Sequence, residues 1–170
     1  MNASTPGLID EVGLLLGASI TEVFSTMFDI AEQPAALPGI RGGAHVLVAG
    51  SVGFVGEVNG LVSVYVTEAF ARTLAGRMLG IPGDAVGGDE VVDDVIGEVS
   101  NMIAGSVKSR LCDSGNACVL TMPTVARGTS LRSESADSSE YRLLTLFCDT
   151  EFVLIELLMK HSGPGASTSP

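Results

Sequence analysis

The stretch DEVVDDVIGEVSNMIAGSVKSRL, residues 89–111, decides the fold, because it predicts one long helix with two contrasting faces. Acidic residues crowd its first turns, while Lys108 and Arg110 stand in its last turn, as the helix dipole favours. The sequence therefore defines both the direction and the limits of the helix. Apolar residues that recur near the 3.6-residue helical period predict its buried face: Val92, Val95, Val99, Met102, Ile103 and Val107.

A line of five residues runs along the opposite face of this helix. They follow one another at steps of four, three, four and three, and we call them the polar stripe: Asp94, Glu98, Asn101, Gly105 and Lys108. Glu98 and Asn101 form an E-x-x-N pattern, which sets a carboxylate beside a carboxamide one turn away. Because glycine inside a helix costs roughly 1 kcal/mol relative to alanine, Gly105 indicates close approach by another molecule.

E-x-x-N alone is a weak motif, since most such matches are solvated helix faces without chemistry. Two further stretches accompany it here, GSVGFVGEVNGLVSVYV at residues 50–66 and MPTVARG at residues 122–128. Together with DDVIGEVSNMIAGSVKSRL, residues 93–111, they resemble the CheX-type chemotaxis phosphatases. These belong to the CheC/CheX/FliY group of response-regulator phosphatases. The likeness spans about residues 8–160, and the motifs come in the family's order.

The resemblance implies a phosphatase that hydrolyses the aspartyl phosphate of a CheY-like receiver domain, in chemotaxis or a related two-component pathway. In the family an Asn orients the attacking water and a Glu contacts a lysine of the receiver, roles that fall here on Asn101 and Glu98. We expect Asp94, Gly105 and Lys108, on the same stripe, to contact the docked receiver. The resemblance also implies a homodimer, and Mg²⁺ that the receiver supplies, so that the chain needs no cofactor or metal site of its own.

Two other helices are predicted from apolar periodicity, one over Ile9–Ile30 and one over Glu68–Leu79, which Thr67 can cap. On the first of them, Glu22-Val23-Phe24-Ser25 resembles a degenerate second copy of E-x-x-N with Ser in place of Asn. We interpret this copy as inactive.

The remaining chain predicts strands. His45–Val58 supplies one long strand or two bent ones, Asn59-Gly60 a two-residue hairpin turn, and Leu61–Val66 the returning strand. Thr121–Val125 is interpreted as an extended edge segment around a proline. Further strands are predicted over Ala117–Met122, Thr124–Leu131, Tyr141–Cys148 and Phe152–Met159.

Long helices that alternate with antiparallel hairpins predict an α+β fold, in which the helices cover one face of a mainly antiparallel sheet. We expect a single CheC/CheX-like domain over residues 1–161 and a disordered tail over residues 162–170. The long apolar strands would leave edges exposed, which a dimer would cover.

Composition bounds the partners. A net charge of −11 and a pI near 4.4 argue against nucleic acid and against an anionic membrane. The amino terminus lacks the features of a signal peptide, and no run approaches the roughly 18 apolar residues of a membrane span. Three cysteines without metal-ligand spacing are typical of reduced thiols, and we expect a cytoplasmic protein.

Other patterns favour structural interpretations. Gly50, Gly53 and Gly56 lack the Lys-Ser or Lys-Thr of a phosphate loop and fit bends or close contacts of strands. His45 and His161 have no neighbours at ligand spacing.

Two alternatives concern the long helix itself. Asp93, Asp94 and Glu98 could form a metal site, but carboxylates in the first turns of a helix more often compensate its dipole. The second alternative is a receiver-binding or flagellar-switch module of the same fold without catalysis.

Overall fold

The computed structural model describes residues 7–34, 46–129, 140–148 and 151–161. The tail predicted at residues 162–170 lies outside these ranges.

The three predicted helices are confirmed: α1 (Leu8–Phe28), α2 (Glu68–Leu79) and α3 (Asp89–Asp113). The hydroxyl of Thr67 accepts a hydrogen bond of 3.1 Å from the Phe70 N–H and caps α2, as the sequence predicts. Among the helices of the described ranges, none has the length and the hydrophobicity that crossing a membrane requires.

The described residues contain seven strands: β1 (Glu32–Pro34), β2 (Leu47–Gly56), β3 (Val58–Thr67), β4 (Cys118–Leu120), β5 (Thr124–Gly128), β6 (Glu140–Cys148) and β7 (Glu151–His161). They form one sheet in the order β1-β6-β7-β3-β2-β4, and β5 pairs with the same edge of β2 as β4. Each of these pairings is antiparallel.

The hairpin turn predicted at Asn59-Gly60 is wrong. Phe54 pairs with Gly60, so the chain reverses around Glu57, and the Asn59 side chain accepts a bond of 3.0 Å from the Gly56 N–H. Gly60 lies inside β3, where the Phe54 ring and the Leu158 carbonyl of β7 leave no room for a Cβ. Close packing by this ring and by the neighbouring strand, and not turn chemistry, explains the glycine.

Two further differences from the prediction concern β1 and β5. β1 is a strand that the sequence does not predict, and β5 ends at Gly128 instead of Leu131. β2 is a single strand of 10 residues, which is the first of the two alternatives that the sequence allows for this stretch.

The core lies between the sheet and α1 and α3, which confirms the α+β class with its long helices on one face. Alternate residues of the central strands point into it, among them Val52, Val62, Ile155 and Leu157, all below 1% exposed. α3 crosses β2 directly, where Gly50 faces Ile96 and Ser100.

The outer edge of β2 carries a one-residue β-bulge between β4 and β5. The registers of the two strands leave residues 121–123 opposite only residues 52 and 53 of β2. Such bulges bend an edge strand and redirect its side chains. The segment that the sequence predicts as plainly extended is therefore a defined irregularity beside α3.

Candidate functional site

The polar stripe lies on the solvent side of α3, as predicted. Asp94 and Glu98 are exposed, while Asn101, Gly105 and Lys108 are partly exposed. The predicted apolar face of the helix is buried, with Met102 at its margin packed against the core.

The residues between Glu98 and Asn101 anchor the motif in the core. Val99 and Ser100 are both no more than 1% exposed, and the Ser100 hydroxyl donates a 2.8 Å bond to the Ile96 carbonyl. A helix turn fixed in this way by packing presents its outward side chains in one orientation. This is the condition under which a pair of polar side chains can position a reacting molecule.

The side chains of Glu98 and Asn101 are available to a binding partner. Within the described ranges, no other side chain forms a hydrogen bond or an ion pair with either of them. Gly105 adds open space one turn further, because a Cβ built on it would meet nothing within 4 Å. The stripe thus combines two unengaged polar groups with a gap in the side-chain cover of the helix.

Asp93 is taken out of this surface by Arg127 of β5. The Arg127 guanidinium donates to the Asp93 carboxylate at 3.0 and 2.5 Å, and its Nη1 lies 3.5 Å from Glu68 Oε1 of α2. The last contact is an ion pair without a hydrogen bond, and Nη1 remains unbonded. Arg72 links the same Glu68 to Asp89 of α3, at 3.4 and 2.5 Å.

The ion pairs of Asp93 affect the alternative in which Asp93, Asp94 and Glu98 form a metal site. Asp93 turns toward β5 while Asp94 faces solvent, so the two carboxylates diverge. Within the described part of the chain, no group of three His, Cys, Asp or Glu residues could hold a metal ion.

Two thiols lie near Lys108, at the carboxyl-terminal end of the polar stripe. Cys112, in the last turn of α3, is exposed and Cys118 of β4 is buried, and neither is in a disulfide. Burial raises the pKa of the Cys118 thiol, an effect that neighbouring Cys112 adds to and Lys108 opposes. This end of the stripe therefore borders the edge strand that leads to the bulge.

The degenerate copy of the motif on α1 is arranged differently. Glu22 and Ser25 are exposed, but the Ser25 hydroxyl donates to the Glu22 carbonyl at 3.2 Å and so points back along its own helix. Glu22 borders the groove between α1 and α3 together with Ser106 and Ser109, which lie off the stripe.

Two features of the site escaped the sequence-based prediction. Arg127 and Asp93 are 34 residues apart, and no local pattern links them. The bulge at residues 121–123 depends on strand registers that composition does not reveal. MPTVARG, which contains both Arg127 and most of the bulge, was recognised only as part of the resemblance.

Fold and site together define an α+β protein that presents an unpaired carboxylate and carboxamide on one rigid helix. The family model described as chemotaxis phosphatase CheX matches residues 48–146, a span that includes the whole stripe. The chain belongs to this family of chemotaxis phosphatases. No curated protein matches it significantly.

Solved structures of CheX proteins are similar to this chain in fold. A chemotaxis protein CheX from Desulfovibrio desulfuricans superposes with a TM-score of 0.73 at 25% identity, over 88% of this chain and 99% of that one. CheX from Vibrio vulnificus gives a TM-score of 0.74 at 25% identity, over 91% and 100%. The Borrelia burgdorferi CheX, solved in complex with CheY, BeF3 and Mg²⁺, shares the fold at 19% identity, with a TM-score of 0.70 over 88% and 98%.

Proposed function

We propose that this protein accelerates hydrolysis of the aspartyl phosphate of a CheY-like response regulator. The observation that carries the proposal is the pair of exposed Glu98 and partly exposed Asn101, both unengaged, on a helix turn fixed by buried Val99 and Ser100. Membership of the CheX family supports it.

Asn101 is the group that orients the attacking water. Hydrolysis of an acyl phosphate passes through a loose transition state, so placing a water in line with the leaving oxygen supplies much of the acceleration. A carboxamide suits this task because its oxygen accepts from the water and it carries no charge that would repel the phosphoryl group. Since an amide does not titrate in the useful range, Asn101 acts by position and not as a general base.

Glu98 fixes the register of docking. Its negative charge disfavours direct contact with the phosphoryl group, but suits a charge-assisted hydrogen bond with a lysine of the receiver. Asp94 and Lys108, one turn before Glu98 and two turns after Asn101, extend the contact along the stripe. Gly105 lets the receiver approach the helix backbone, because no side chain covers α3 there.

The receiver supplies the Mg²⁺ of the reaction, and this chain contributes no cofactor. The Borrelia CheX complex with CheY, BeF3 and Mg²⁺ supports a receiver domain as the partner. Termination of a chemotaxis or related two-component signal is a cytoplasmic function, which the reduced thiols of Cys112 and Cys118 fit. Nucleic acid and membrane have no part in this function, in keeping with the charge of −11.

We also propose a homodimer. The face of the sheet that carries no helix presents a group of partly exposed apolar residues, among which Phe147 and Phe152 are 37% and 38% exposed with ring centroids 5.0 Å apart. A second copy covering this face would remove the group from water. Sedimentation equilibrium tests the dimer, and a Phe152→Asp variant that sediments like wild type would contradict this interface.

The decisive experiment follows the decay of a purified phosphorylated CheY-like receiver with wild type, Asn101→Ala and Glu98→Gln. We expect acceleration by wild type, a loss of at least about 100-fold in kcat with Asn101→Ala, and a raised KM with Glu98→Gln. Circular dichroism checks that each variant folds. Asn116→Ala and Glu57→Gln serve as controls, since these residues lie outside the stripe, in connections between secondary-structure elements.

The outcomes separate the two function classes. Acceleration that survives Asn101→Ala would overturn the role of the water-positioning amide. Receiver binding without acceleration by wild type would make this chain an interaction module and not an enzyme.

A further inference from the structure

Met122 is the most exposed large apolar side chain in the described ranges, at 84%. It is the middle residue of the bulge between β4 and β5. Exposed methionines are ordinary where the chain is loose, so the question is whether this position is free to move.

Its two neighbours are both fixed. Thr121 exchanges two bonds of 2.9 Å with Gly53 of β2: the Thr121 N–H donates to the Gly53 carbonyl, and the Gly53 N–H donates to the Thr121 hydroxyl oxygen. The Thr121 hydroxyl in turn donates to the Met122 carbonyl at 3.2 Å. On the other side, Pro123 packs against Gly97 of α3, where a Cβ would lie 3.8 Å from two of its carbons. The backbone on both sides of Met122 is therefore fixed, while its side chain is exposed to solvent.

The contact between Pro123 and Gly97 places Met122 beside the polar stripe. At 100° per residue, Gly97 lies about 40° around α3 from Asn101 and one turn before it. The preceding strand runs along the same helix, since Cys118 neighbours Cys112 and Lys108. The segment that carries Met122 thus runs beside α3 at the level of Gly97, the residue next to Glu98.

The stripe itself is poor in attractive contacts for a phosphorylated acidic site. Two of its residues, Asp94 and Glu98, are anionic and only Lys108 is cationic. Binding energy at protein interfaces is concentrated in a few apolar or aromatic anchors, while charged groups at the rim mainly set orientation. Methionine suits an anchor because it is flexible, polarisable and adapts to the opposing surface.

We propose that Met122 is an apolar anchor for the receiver, which it contacts beside the phosphorylation site when the polar stripe docks there. This inference rests on the proposed function. It assigns to the partner an apolar patch next to its phosphorylated aspartate, and it gives the bulge a role in recognition. Met122 sets the affinity for the receiver and takes no part in the chemistry.

The test measures turnover against the concentration of phosphorylated receiver for wild type, Met122→Gln and Met122→Leu. We expect Met122→Gln to raise KM about tenfold with kcat unchanged, and Met122→Leu to restore a KM close to wild type. Val119→Ala is the matched control. Val119 is 64% exposed in the same edge, but lies between the inward-facing Cys118 and Leu120 and so points away from α3.

If Met122→Gln has the KM of wild type while Asn101→Ala is inactive in the same assay, the role of Met122 as an anchor is refuted and the proposed phosphatase activity is retained. If wild type accelerates the decay of no receiver, the proposed phosphatase activity is refuted. Titration calorimetry then tests the anchor separately, because weaker receiver binding by Met122→Gln than by wild type would still support it. Absence of any binding by wild type would refute both.

Discussion

Gly50 of β2 and Ser100 of α3 pack so closely that no methyl group fits between them. A Cβ on Gly50 would fall 2.9 Å from both the carbonyl oxygen and Cγ2 of Ile96, and would overlap the Ser100 hydroxyl oxygen. Ser100 belongs to the turn that carries Glu98 and Asn101. The depth at which α3 sits on the sheet, and with it the placement of the motif, depends on the missing side chain of Gly50.

Gly50→Ala should lower the free energy of unfolding by about 1–3 kcal/mol, because α3 must move off β2 or the strand must shift. Urea denaturation measures this loss. A variant as stable as wild type would show that the helix has room to move.

Gly105→Ala is the counterpart in the same helix. Since a Cβ there meets nothing within 4 Å, the substitution should raise the free energy of unfolding by about 0.5–1 kcal/mol through helix propensity alone. Gly105→Leu should also fold, yet raise the KM for the phosphorylated receiver. A KM unchanged by leucine would mean that the receiver stays away from this part of α3.

Arg127 should be important for stability. Its side chain is 22% exposed and contacts Asp93 and Glu68, so Arg127→Met removes the cation that these two carboxylates share and leaves Glu68 with Arg72 alone. We expect a loss of about 1–2 kcal/mol that shrinks at high salt, where the repulsion is screened. Arg142→Met is the control, because the pair of Arg142 with Asp10 is more exposed and should matter less.

Tyr65 should have a pKa well above the ordinary value for tyrosine. The chain holds two tyrosines, so a Tyr141→Phe variant leaves Tyr65 as its single phenol. Burial, and then the 2.7 Å bond that its hydroxyl donates to Glu156, raises the pKa of Tyr65 from 10.0 to about 12. Because the folded pKa exceeds the unfolded value, the stabilisation is complete below pH 10 and is lost as the pH rises toward about 12.

Phenolate absorbance in the Tyr141→Phe variant measures this titration. Adding Glu156→Gln should lower the pKa of Tyr65 yet leave it above 10.0, because burial is the larger cause. A return to 10.0 would assign the whole shift to the carboxylate.

Replacing Glu22 and Ser25 together by alanine should leave turnover of the receiver nearly unchanged, because the Ser25 hydroxyl is bonded to its own helix. The same decay assay measures it. A large loss would place the active surface on α1.

The helices and the solvent-facing position of the polar stripe were predictable from sequence because their signals are local. Periodicity and caps define α2 to the residue, and the steps of the polar stripe place Glu98 and Asn101 on one exposed line. The hairpin failed for the opposite reason. Asn59-Gly60 has the composition of a turn, but Gly60 pairs with Phe54 of β2 and lies under its ring. Only the register of the strand pair reveals this contact.

The surroundings of the stripe were equally hidden. Gly97 is ordinary in sequence, and only the structure shows that Pro123 and Val125 pack over it, where a Cβ would lie 3.8 and 3.7 Å from their carbons. Side chains brought together from distant segments, such as Asp93 and Arg127, leave no periodic trace. The proposed catalytic roles of Glu98 and Asn101 stay predictions until the receiver assay is made.

The bulge has a consequence for how this surface could change over time. Because residues 121–123 face only two residues of β2, deletion of a single codon would close the edge into an unbroken strand without altering any pairing on either side. A lineage could thus discard or regain the protruding side chain by an insertion or deletion, while the helix bearing the amide is inherited intact.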